Sequence, residues 1–175
     1  FSVLEFRPHF PGYPGMILGA SVIDWMLQPE APGWVVIAFS MLGAACIPLF
    51  LALICLHLTA RCWLGVTVLV LAMTSPMLAG LGLSGLSDAP ALALVLAAIL
   101  AVLQRRYWLA GVLLGAALAV RPSYLLLVLP VLAGVGQEAP GSVRRQALMR
   151  LLWPILLIGM ACLLFMLAHD GLAWF

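Results

Sequence analysis

Residues 89–103 read APALALVLAAILAVL, a run that is apolar on every side of a helix and on both faces of a strand. A transmembrane strand needs alternating apolar and polar residues over about 10 positions, so the run excludes a membrane barrel. Across the 175 residues, 66% are hydrophobic and 8% are charged. A soluble domain is typically about half apolar and a quarter charged. The sequence therefore predicts an all-α, polytopic transmembrane helical bundle.

The few charges lie in short connections and do not form a basic face. The net charge is only +2, and the arginines occur in small clusters between apolar runs. We therefore expect a lipid bilayer as partner and no nucleic acid. The four cysteines form no Cys-x-x-Cys pair, and the three histidines lie far apart in the sequence. We predict neither a disulfide framework nor a metal site.

Apolar runs on either side of residues 89–103 set the remaining spans. They predict four long spans, at residues 34–58, 63–83, 89–103 and 147–168. Residues 15–27 are too short to cross, because a helix rises about 1.5 Å per residue, and predict an interfacial helix. The chain then divides into residues 1–33, a non-cytoplasmic loop with this helix, and residues 34–175, the transmembrane domain.

Residues 107–135 join two arginine clusters, which both belong on the cytoplasmic side by the positive-inside rule. A single crossing would put one cluster outside. We therefore predict a hairpin of two short helices, 107–120 and 123–135, broken at Arg121-Pro122, because proline disfavours helix at the residue before it. One continuous tilted helix is the alternative.

This topology gathers the other polar residues on the non-cytoplasmic face. Arg7, His9 and Tyr13 lie there, together with Asp88 and Arg121. Ionisable groups at membrane depth are costly and usually serve a pathway or a site. We therefore treat these five residues as the candidate site.

Three short motifs follow one another in an order that resembles a known family. They are HFPGYP at residues 9–14, SDAP at 87–90, and AGVLLG at 110–115 leading to Arg121-Pro122. This order resembles the GT-C superfamily of membrane glycosyltransferases. Within it, the chain is most similar to bacterial relatives of the protein O-mannosyltransferases and to the transferases that add aminoarabinose to lipid A.

The resemblance implies a multi-pass enzyme of the bacterial cytoplasmic membrane. Such an enzyme moves a sugar from a polyprenyl-phosphate-linked donor to an acceptor on the outer face. Asp88 would be a supporting carboxylate, and Arg7, His9, Tyr13 and Arg121 would bind substrate. The family's main catalytic carboxylate follows a first transmembrane helix, and that helix has no counterpart in this sequence. We therefore expect an upstream catalytic segment and a C-terminal region to be missing.

Each of these interpretations has an alternative. Asp88 could instead be the N-cap of a helix. Arg121 could instead extend its side chain to place its charge at the membrane interface. The two Gly-x-x-x-Gly pairs, at residues 15–19 and 111–115, predict helix contacts within the chain, with a dimer as the other option. A non-catalytic subunit with membrane-protein partners is the second functional hypothesis, and a small transporter is the third. A divalent cation is left open as a cofactor.

Overall fold

The computed structural model describes residues 14–27, 33–138 and 141–170, and in these residues all regular structure is helical. The all-α prediction is confirmed. The eight α-helices are α1 (Pro14–Leu27), α2 (Gly33–Thr59), α3 (Cys62–Met73), α4 (Pro76–Leu83), α5 (Asp88–Leu103), α6 (Tyr107–Val120), α7 (Leu125–Glu138) and α8 (Gly141–Asp170), with a 3₁₀ turn (Pro122–Tyr124) between α6 and α7.

Two helices, α2 and α8, are long and apolar enough to cross a bilayer. The segments that could do so are Trp34–Thr59 and Val143–Ala168. The pair α3 and α4 gives a third if it is counted as one span, although the two helices are bent by 57°. Many large apolar side chains are exposed, including Trp34 and Leu156. These features fit a helical membrane protein, because large exposed apolar surfaces are typical of contact with lipid. The count of four long spans is not confirmed, and α5 has only 16 residues.

The predicted span at residues 63–83 is broken near its middle. Helix α3 ends at Met73, and Ser75 adopts extended backbone (φ −72°, ψ 116°) before Pro76 starts α4. Proline disfavours helical backbone at the residue before it. The Thr74 hydroxyl also donates to the Val70 carbonyl oxygen at 3.0 Å, which satisfies a helix-end acceptor. The apolar run alone did not reveal this break.

A second break separates α6 from α7. Arg121 is extended (φ −151°, ψ 99°), and the 3₁₀ turn begins at Pro122. The cause is again the proline that follows. The chain therefore reverses here, and no continuous helix runs through residues 107–135.

Glycines mark the closest helix contacts. A Cβ at Gly43 of α2 would overlap the backbone of Pro90 in α5, and one at Gly111 of α6 would overlap the Leu151 carbonyl oxygen of α8. Gly115, one turn after Gly111, lies against Ile155, one turn after Leu151. Helices α6 and α8 therefore run parallel. The other Gly-x-x-x-Gly pair, at residues 15–19, also makes a helix contact within this chain, since Gly15 lies against the Ala119 backbone.

The bundle has two ends, which we name by their charges. The ion-pair end holds the start of α5 at Asp88 and the end of α6 at Arg121. The arginine end holds the turn between α2 and α3, the turn between α5 and α6, and the start of α8. Helix α5 has 16 residues, which separates the two ends by about 24 Å at 1.5 Å per residue.

Candidate site at the ion-pair end

An ion pair joins the two described residues of the candidate site. Arg121 Nη1 lies 2.9 Å from Asp88 Oδ2, and the side chains are 30% and 27% exposed. A guanidinium and a carboxylate at this distance form a charge-assisted hydrogen bond. Partial burial lowers the local dielectric, so the attraction exceeds that of a pair in water. Among the described residues this is the one pair of opposite charges in contact.

Two helix termini bring the pair together. Asp88 is the first residue of α5, and Arg121 directly follows the last residue of α6. Because these neighbouring helices are antiparallel, the start of one lies beside the end of the other. The extended backbone that Pro122 imposes on Arg121 then directs the chain past the N-terminal end of α5.

Neighbouring hydroxyl groups hold the guanidinium in place. Arg121 Nη1 also donates to Ser87 Oγ at 3.2 Å, and Arg121 Nε donates to Ser123 Oγ at 3.2 Å. Ser87 is buried, with 6% of its surface exposed. The Tyr124 hydroxyl donates to the main-chain oxygen of Asp88 in a long hydrogen bond of 3.4 Å. The guanidinium therefore has three polar partners, Ser87, Asp88 and Ser123.

The N-cap interpretation of Asp88 is wrong. Ser87 occupies the N-cap position, and no side chain there accepts a hydrogen bond from the helix. Asp88 lies in the first turn, where a carboxylate is favourable because of the partial positive charge of a helix N-terminus. The carboxylate is directed to Arg121 instead of to its own helix.

A small apolar cluster lies next to the ion pair. Its buried members are Met16 of α1, Ala91 of α5 and Val120 of α6, and the Phe39 and Tyr124 rings pack against it. Ala91 and Val120 are close neighbours of Asp88 and Arg121 along the chain. The cluster excludes water from one side of the pair, while about a third of each charged side chain remains accessible.

The turn before Asp88 is anchored to α2. The buried Ser40 hydroxyl lies 2.8 Å from the Leu81 carbonyl oxygen and 3.1 Å from that of Leu86. Gly85, between these two residues, has φ +65°, a conformation that glycine adopts without strain. The position of Asp88 is therefore set by α2 as well as by α5.

An apolar cavity of about 180 Å³ opens beside the ion-pair end, on another side of α6. It is bounded by α1, α6, the 3₁₀ turn and α8, and Pro122, the neighbour of Arg121, is part of its wall. The other lining residues are Pro14, Gly115, Leu118, Ala119, Ile155, Gly159, Cys162 and Met166. The lining is almost entirely apolar.

The remaining predicted site residues, Arg7, His9 and Tyr13, lie outside the described residues. The prediction missed Ser40, Ser123 and Tyr124 as partners of the site. For Ser123 and Tyr124 a signal was present, because they directly follow Arg121-Pro122. Ser40 had none, since it is a single hydroxyl within a long apolar run.

Metal ligands do not gather in the described part of the chain: no three His, Cys, Asp or Glu side chains there form a group suited to an ion.

Comparisons with known proteins leave the geometry as the basis of interpretation. No protein-family model, curated protein or solved structure matches the chain.

Proposed function

We propose that this chain is part of a GT-C-type glycosyltransferase of the bacterial cytoplasmic membrane. It would transfer a sugar from a polyprenyl-phosphate-linked donor to an acceptor at the outer face. The single observation that carries the proposal is the partly exposed Asp88–Arg121 pair at the end of the bundle opposite the arginine clusters. A buried hydroxyl and an apolar cavity lie near it.

The proposed topology has four crossings. Helices α2 and α8 each cross once, α3 with α4 forms a bent third crossing, and α5 forms a short fourth. Helices α6 and α7 add a hairpin of two short helices whose tip, at Arg121, lies at the ion-pair end. The ion-pair end then faces outward, because arginine-rich connections are retained in the cytoplasm.

In this reaction the anomeric carbon–oxygen bond to the lipid phosphate breaks and a bond to the acceptor hydroxyl oxygen forms. The acceptor proton goes to a carboxylate, and the lipid phosphate leaves with its bonding electrons. Arg121 would exchange part of its contact with Asp88 for the phosphate oxygens, which a guanidinium binds in two-pronged fashion. Asp88 would orient Arg121 as a supporting carboxylate, with another carboxylate as the principal base.

Sugar transfer by the full-length protein in native membranes tests the proposal. With a radiolabelled polyprenyl-phosphate sugar as donor, Arg121→Gln is expected to lower the rate of polyprenyl-phosphate release by about 10²-fold or more, as for other lost charge-stabilising donors. Arg121→Lys is expected to retain part of the rate. Arg61→Gln, at the arginine end, removes the same charge and serves as the matched control. Equal rates in Arg121→Gln and Arg61→Gln would remove the site from the proposal.

One observation favours a second function, a non-catalytic subunit of a larger membrane complex. Arg121 Nε and Nη1 are already occupied by Ser87, Asp88 and Ser123, as in a purely structural clamp. This hypothesis predicts co-purification with partner chains in fixed stoichiometry. It also predicts that Asp88→Asn lowers the yield of that complex while leaving any sugar transfer unchanged.

A further inference from the structure

The arginine end carries several positive charges, and no described side chain neutralises them. Every arginine of this end is exposed. Among the side chains that the structure describes, none of these arginines forms an ion pair, since the single pair there belongs to Arg121. The arginines concerned are Arg61, Arg105, Arg106, Arg144, Arg145 and Arg150.

Helix packing brings two of the clusters together. Gly111 of α6 contacts Leu151 of α8, and the helices run parallel, so Tyr107 lies level with Ala147. Both residues are buried in the same apolar cluster. Helix α6 begins at Tyr107, whereas α8 extends further in this direction, to Gly141. The first turns of α8 therefore project past the start of α6.

Arg144 lies on the side of α8 that faces α6. It precedes Ala147 by three residues and Leu151 by seven, and residues at these spacings share one helix face. Arg106 immediately precedes α6. In the common register Arg106 and Arg144 are offset by about two residues, or about 3 Å along the axis. Arg105 adjoins Arg106 in the same turn.

The surroundings indicate the level of a membrane surface. Trp108 is 63% exposed, two residues after Arg106. Exposed tryptophan is enriched at membrane–water interfaces. Leu109 and Met149 are also exposed, so apolar surface begins directly beside the arginines. A lipid places its phosphate next to hydrocarbon in the same way, whereas a soluble anion has no apolar part to bury.

We propose that Arg105, Arg106 and Arg144 bind the phosphate of an anionic phospholipid, whose chains lie along the exposed surface of α6 and α8. Two or three guanidinium groups can share one phosphate through paired N–H donors. The α2–α3 turn provides an internal comparison. It also has an arginine followed by an exposed tryptophan, Arg61 and Trp63, but α8 does not pack closely against α2 or α3.

Native mass spectrometry of the intact protein in detergent tests the proposal. The protein is incubated with equimolar phosphatidylglycerol and phosphatidylcholine, and the ratio of retained lipids is measured. We expect phosphatidylglycerol to be preferred, and Arg106→Gln and Arg144→Gln each to lower the preference about five-fold, corresponding to one arginine at a charged surface. Arg144→Lys keeps the charge and is expected to keep most of the preference. Arg61→Gln is expected to change it by less than about two-fold.

Three results would overturn the proposal. The first is an equal loss in Arg61→Gln and Arg144→Gln, which indicates diffuse charge and no site. The second is equal retention of both lipids by the unmodified protein. The third is displacement of phosphatidylglycerol by millimolar inorganic phosphate, which indicates a site for the free anion. The Arg105→Gly variant removes a charge without disturbing a turn that already has positive φ (59°), so it tests the site if another variant unfolds.

Discussion

The two ends of the bundle compensate their charges in different ways. At the ion-pair end, Arg121 is neutralised by a carboxylate and held by two hydroxyl groups of the same chain. At the arginine end, none of the arginines forms an ion pair with a side chain that the structure describes. The proposals of a substrate site at the first end and of lipid binding at the second rest on this difference.

The largest expected effect concerns how tightly α2 is packed at each end. A Cβ at Gly43 would overlap the backbone of Pro90, whereas one at Gly65, near the arginine end, would lie 3.3 Å from the Ala52 carbonyl oxygen. Gly43→Ala is expected to lower the free energy of unfolding by about 1–3 kcal/mol through overpacking. Gly65→Ala is expected to change it by less than about 1 kcal/mol. Unfolding in detergent measures both, and similar losses would contradict the difference in packing.

The ion pair is expected to contribute a coupling of about 1–2 kcal/mol to stability. A double-mutant cycle with Asp88→Asn and Arg121→Gln isolates this quantity, because each single variant leaves one charge without its partner. A matched cycle with Arg61→Gln in place of Arg121→Gln provides the control, with expected coupling near zero since the sites lie at opposite ends. Coupling as small in the first cycle as in the control would show that the contact does not stabilise the fold.

Substitutions in the turns at the two ends are expected to change the free energy of unfolding in opposite directions. Gly85 at the ion-pair end and Ala60 at the arginine end both have positive φ, +65° and 54°. A left-handed conformation costs a residue with a Cβ about 1 kcal/mol. Gly85→Ala is therefore expected to lower the unfolding free energy by about 1 kcal/mol, and Ala60→Gly to raise it by a similar amount. Thermal unfolding of the two variants checks the signs, and a loss in Ala60→Gly would contradict the strain.

The smallest effect is expected for exposed arginines in an uncharged environment. In zwitterionic detergent, Arg144→Gln should change the unfolding free energy by less than about 0.5 kcal/mol, because it breaks no ion pair in the described residues. Addition of phosphatidylglycerol should raise the unfolding temperature of the unmodified protein more than that of the variant. A large loss without anionic lipid would instead indicate a structural role for this side chain.

Sequence patterns predicted the helical class, because apolar runs without alternation allow no other membrane structure. They also predicted that Asp88 and Arg121 lie on one face, through the distribution of arginine and the proline at 122. The same proline signal is present at Ser75-Pro76, where the long apolar run obscured it. Prolines alone do not decide the outcome, since Pro48 and Pro154 lie inside continuous helices.

Side-chain contacts of the site were harder to predict. Pairing of Arg121 with Ser87 depends on how α5 packs against α6, which no local pattern encodes. The same holds for Ser40, whose role depends on a turn about 40 residues later in the chain. Apolar periodicity carries little information here, because nearly every face of these helices is hydrophobic.

The contact between Gly111 and Leu151 also determines how deep Arg121 lies. In the parallel register of α6 and α8, Arg121 is level with about residue 161, while α8 continues to Asp170, about 13 Å further. Helix α6, with 14 residues, is about 21 Å long, against about 30 Å for the hydrocarbon core. In the proposed topology, the bilayer beside α6 would therefore become thinner, or admit water and headgroups, to reach the ion pair. A lipid-linked phosphate could then meet Arg121 below the general level of the membrane surface.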